Sequence, residues 1–126
     1  MRDPVVLGAT LAGVLATAWA LFGGRYLPGI DYSNHLGLIS ILANGGESGA
    51  LDYMERSFAP SYYLLFYLIT AGVAQFTTVD VASKLVLIAA AGGLVLATAS
   101  LADACGRSPR AAAIAPLAMF GVSFGY

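Results

Sequence analysis

Charge is what this sequence lacks most: Lys, Arg, Asp and Glu together make up 10% of its 126 residues, where a soluble domain carries about a quarter. The chain is also 59% hydrophobic. Small domains leave much of their surface exposed, so a soluble fold of this length cannot hide that much apolar area. Lipid is therefore expected to cover part of it. The formal net charge of −1 gives no indication of nucleic-acid binding or of an acidic substrate, and no nucleic-acid partner is expected. Cys105 is the only cysteine, which excludes an intrachain disulfide, and with a single histidine no Cys/His zinc cluster can form. Cys105 beside Gly106 reads as a pair of small residues at a helix end, not as a redox centre.

What is present is a set of charge-free apolar runs. Spanning a bilayer takes about 20 apolar residues, and the runs place spans at about 5–22, 58–79, 82–103 and 111–126, with an extramembrane loop over 23–57. The expected fold is all-α, a single transmembrane helical bundle of about four spans with short surface helices in the first loop. It is expected to lie in the lipid bilayer as a multi-pass protein. Pro4 suits a first helical turn. The last run stops at Tyr126 without a polar flank, so the chain reads as the N-terminal part of a longer protein. Arg2 and Ala18-Trp19-Ala20 resemble a signal peptide, but Asp3 and an apolar core longer than about 15 residues favour a retained helix. Small residues at helical spacing, Ala9, Gly13, Ala16 and Ala20 in the first span and Ala89, Gly93, Ala97 and Ser100 in the third, would let helix backbones approach. A helix–helix membrane partner is one use of such faces.

The loop from Gly23 to Arg56 holds most of the acidic residues and the only histidine. Gly23-Gly24 ends the first helix and Pro28-Gly29 makes a turn. A short helix is expected from Asp31 or Ser33 to about Ala43, broken by Asn44-Gly45-Gly46, with a second short element over 50–56. On a helical wheel Leu36, Leu38, Ile39, Leu42 and Ala43 share one side, and Ser33, Asn34, Gly37, Ser40 and Asn44 the other. That pattern fits a helix lying along a membrane surface. His35 falls on the apolar side, and Asp31 four residues before it would share that face. An acid and an imidazole so placed suggest a site, while a helix cap and an interfacial filler are the plainer alternative.

In order, the chain has a span, a polar loop with an early aspartate, surface helices, Pro60-Ser61-Tyr62-Tyr63, and then Val81-Ala82-Ser83-Lys84-Leu85. This resembles the start of GT-C-type integral membrane glycosyltransferases. It is more closely similar to bacterial multi-span proteins of that kind whose first loop reads Asp-Leu-Pro-Asn-His-Leu-Ala-Arg. The stretch here is Asp31-Tyr32-Ser33-Asn34-His35-Leu36-Gly37-Leu38, with Ser33 in place of the proline and Leu38 in place of the arginine.

The resemblance implies sugar transfer from a polyprenyl-phosphate donor to an acceptor at the outer face of the inner (plasma) membrane. Asp31 would be the general base on the acceptor hydroxyl. Asn34, His35 and Arg56 would contact donor or acceptor. Some relatives use their acids to hold a divalent cation, so a metal cofactor is open. The resemblance also puts the first loop outside, with Arg2 and Lys84 inside and Arg25, Arg56, Arg107 and Arg110 outside, against the positive-inside preference. Asp103 is expected to pair with Arg107 four residues on. Two other classes fit the composition: a non-catalytic membrane scaffold or subunit, and a transporter fragment.

Overall fold

The computed structural model describes residues 3–23, 32–44, 49 and 62–115. Among them the regular structure is helical and contains no strand, as the composition implied. The elements are α1 (Pro4–Gly23), α2 (Tyr32–Asn44), α3 (Leu64–Val73), α4 (Val79–Ala104) and a 3-10 helix over Pro109–Ile114. The expected second surface element over 50–56 lies outside the described residues.

Two of these helices, α1 with 20 residues and α4 with 26, are long and apolar enough to cross a membrane. At 1.5 Å per residue they reach about 30 and 39 Å, against a hydrocarbon core of about 30 Å. Only 22% of each spanning window is buried, unlike that of a soluble core helix.

Local chemistry sets the helix ends. Asp3 caps α1, its carboxylate accepting the Val5 N–H at 2.9 Å, and Pro4 fills the first helical position, where no N–H is needed. Thr78 caps α4 by accepting the Val81 N–H at 3.3 Å, and Asp80 sits in the first turn, where a negative charge is favoured. α4 closes in a Schellman turn: Arg107 N–H donates to Ala102 C=O at 2.8 Å and Gly106 N–H to Asp103 C=O at 2.9 Å. Gly106 adopts a φ of 66°, which a side chain would oppose. This turn overturns the expected Asp103–Arg107 pair, because α4 stops at Ala104 and Arg107 leaves its face. Cys105 is exposed just beyond that end, where a small residue was anticipated.

The chain divides into two compact units, Met1–Gly29 with Leu87–Tyr126, and Ile30–Val86. In the first, Val6, Val95, Ala99 and Ala112 form a buried core, with Ala9 and Ala115 against it. α1 and α4 run in opposite directions there. Arg110, just past α4, donates its Nε–H to Asp3 at the start of α1 at 3.0 Å. Gly92, in mid-α4, lies against Thr10 and Val14 further along α1. Asp3 and Arg110 therefore share one end, where the expected topology put Arg2 and Arg110 on opposite faces.

The small-residue stripes are offset from expectation. Ala89, Gly93, Ala97 and Ser100 are exposed, while Ala91, Gly92, Val95 and Ala99 are buried. On α1 the buried line is Val6, Gly13, Thr17 and Leu21. A β-carbon on Gly92 would come within 3.0 Å of a Val14 methyl, so the approach there depends on glycine.

In the second unit α2 packs on α3. α2 begins and ends within a residue or so of its expected bounds, and Ile39 is its fully buried residue. Leu38 is exposed, so the apolar side of the wheel is only partly covered. α3 is far shorter than the expected 58–79 span. Residues 58–61 are outside the described set, and the helix stops at Val73. Its last bonds tighten: Gln75 N–H goes to Gly72 C=O at 3.3 Å and Phe76 N–H to Val73 C=O at 3.0 Å. The Gln75 side chain donates back to Ala71 C=O at 3.3 Å. Two polar threonines then lead straight into the cap of α4.

Candidate functional site

α2 carries Tyr32, His35 and Ile39 at spacings of three and four, so all three share the side that meets the rest of the unit. Tyr63, the residue leading into α3, and Tyr67 within it lie four apart and both meet His35, with their rings stacked at 6.1 Å. Between them sits His35. Its Nδ1 lies 2.6 Å from the Tyr67 hydroxyl, and its ring centroid is 4.8 Å from that of Tyr63.

This pairing determines what the imidazole can do. With the phenol donating to Nδ1, the ring proton resides on Nε2, which then donates outward. With Nδ1–H donating to the phenol oxygen, Nε2 keeps its lone pair and can accept a proton. Nε2 has no hydrogen-bond partner among the described residues. His35 is half-buried, and its contact with the Tyr67 hydroxyl holds and orients the ring.

A second polar group joins α2 to the start of α4. The Ser83 hydroxyl donates to the Asp80 carbonyl at 2.8 Å. Its proton is thereby committed, so Tyr32 is the donor in its hydrogen bond to Ser83. Lys84 Nζ donates to Asp80 Oδ2 at 2.8 Å, with only 11% of its side chain exposed. Such a cation needs its counter-charge, because a lone buried charge is strongly destabilising. Burial pushes the Tyr32 phenol above its usual range, further still from ionising at physiological pH.

Of the residues singled out in the sequence, His35 is brought into a cluster. Asn34 is exposed on α2 with no hydrogen-bond partner among the described residues. Asp31 and Arg56 lie outside the described residues, and so does the expected Asp31–His35 pairing. Among the described residues no group of three or more His, Cys, Asp or Glu side chains gathers to hold a metal ion.

Sequence reasoning missed Tyr32, Tyr63, Tyr67, Asp80 and Ser83, and gave Lys84 no role at the site. Two signals were available: the Tyr63/Tyr67 repeat, and the acid-before-base spacing of Asp80 and Lys84. The chain matches no protein-family model, no curated protein and no solved structure.

Proposed function

We propose that this chain serves a GT-C-like membrane glycosyltransferase that moves a sugar from a polyprenyl-phosphate donor to an acceptor at the outer face of a bacterial plasma membrane. The observation that carries the reading is His35. Tyr32–Leu38 of the likened stretch lie in α2, and there Tyr67 fixes the imidazole while Nε2 has no partner among the described residues. A held ring nitrogen of this kind suits a donor phosphate oxygen or an acceptor hydroxyl. A polyprenyl-linked donor presents its phosphate at headgroup depth, where a surface-lying amphipathic helix of the kind expected for α2 would meet it.

In this reading Asp31 takes the proton from the acceptor hydroxyl as the hydroxyl oxygen attacks the sugar's anomeric carbon. The polyprenyl phosphate leaves with the bonding pair. His35 Nε2–H donates to the phosphate, and Arg56 balances its charge.

The test is transfer of radiolabelled hexose from polyprenyl-phosphate donors in membranes carrying the protein. Asp31→Asn should reduce transfer to background with expression unchanged, since asparagine still caps a helix but carries no charge. His35→Gln should keep more activity than His35→Leu, while the leucine variant is expressed at least as well as the parent. Near-parental transfer by Asp31→Asn would leave Asp31 as a helix cap and remove the catalytic reading.

A further inference from the structure

We propose that α3 is not a membrane span. It lies in the interfacial layer of the bilayer that α1 and α4 cross, and its outer stripe of Leu65, Leu68 and Ile69 contacts lipid. The inference rests on the membrane reading of α1 and α4 and is independent of sugar transfer.

Three observations converge. The first is direction. Arg110 at Asp3 and Gly92 at Thr10 and Val14 make α1 and α4 antiparallel. A chain that crosses a membrane by two opposed helices leaves and re-enters on the same face. Residues 24–78 then cross an even number of times, and one span over 58–79 does not satisfy that.

The second observation is length. α3 has 10 residues, about 15 Å of helix, roughly half the hydrocarbon thickness. Backbone inside hydrocarbon must satisfy its own hydrogen bonds, yet the chain after Val73 is turns up to Val79.

The third is the distribution of exposure. The side of α3 bearing Tyr67, Thr70 and Ala71 meets α2 or is buried. The opposite side exposes Leu65 at 70%, Leu68 at 42% and Ile69 at 47%, spaced three and four apart as on one helical face. Phe76, just past the helix, is 91% exposed. Water disfavours the exposure of each of these side chains. The stripe is flanked by Tyr62 and Tyr63, both exposed, the residue type that settles at the headgroup boundary. Lipid is the occupant the chain itself supplies, because α1 and α4 already expose Leu7, Leu11, Leu15 and Leu101.

Single cysteines at Ser33→Cys, Thr77→Cys and Arg107→Cys, each in the full chain with Cys105→Ser, are treated with a membrane-impermeant maleimide in intact cells. Positions 33 and 77 should respond alike, and 107 oppositely. Opposite responses at 33 and 77 would mean that the α3 region crosses, which ends the proposal while leaving the membrane reading intact. Identical responses at all three would mean that α4 does not cross, which ends both.

A bimane label on Leu68→Cys in brominated phosphatidylcholine vesicles distinguishes lipid from a protein cover. Quenching well above that of a label at Ser33→Cys is expected. Quenching no stronger than at Ser33 would mean that protein covers the stripe.

Discussion

Thr70 sits in α3 with its side chain fully buried and its hydroxyl without a hydrogen-bond partner among the described residues. A buried hydroxyl of that kind carries a desolvation penalty of about 1–3 kcal/mol with nothing to offset it. Valine has nearly the same shape and no such group. Thr70→Val should therefore raise the thermal unfolding midpoint of the detergent-extracted protein, corresponding to about 1 kcal/mol. A lower midpoint would show that the hydroxyl has a partner in the membrane. His35 teaches a related lesson about what a sequence discloses. Its placement on the half-buried side of α2 was legible from periodicity alone. Its partner was not, because Tyr67 is 32 residues away and nothing local distinguishes it from other tyrosines. The same holds for Tyr32 and Ser83, 51 residues apart.

At the scale of elements, α1, α2 and α4 were legible because each has chemical punctuation: Asp3-Pro4 before α1, Asn44-Gly45-Gly46 after α2, Gly106 after α4. α3 was not. Hydropathy averages across Gln75 and Thr77-Thr78 and joins what the backbone separates. A cap at Thr78 followed by Asp80 was the available signal. Periodicity also chose the wrong small-residue stripe on α4, since Gly92 and Gly93 are adjacent and only the partner helix decides between them. That choice can be checked. A β-carbon at Gly92 meets Val14 at 3.0 Å, while at Gly93 nothing lies within 4 Å. Gly92→Val should destabilise the extracted protein by about 1–3 kcal/mol through overpacking, and Gly93→Val by clearly less. Equal effects in thermal melts would place the α1–α4 approach elsewhere.

For the whole molecule the informative contact is Asp3 with Arg110. The guanidinium's hydrogen bond, with the Val5 N–H adding to it, holds the Asp3 carboxyl below the usual carboxylate range. A lowered folded-state pKa stabilises above the ordinary value of about 3.9, and that contribution is lost as pH falls through the lowered value. The unfolding midpoint of the parent should therefore fall more steeply than that of Asp3→Asn on acidification below about pH 4, with a small difference because the pair is exposed to water. Parallel curves would mean that the contact adds no stability.

The same contact also has an order in time. Its partners are 107 residues apart. At a synthesis rate of about 5–20 residues per second, roughly 5–20 s separate the emergence of Asp3 from that of Arg110. Throughout that interval the first helix has its own cap but neither its partner helix nor its counter-charge. Whatever accompanies it into the bilayer must hold it unpaired until the chain just past α4 has been made.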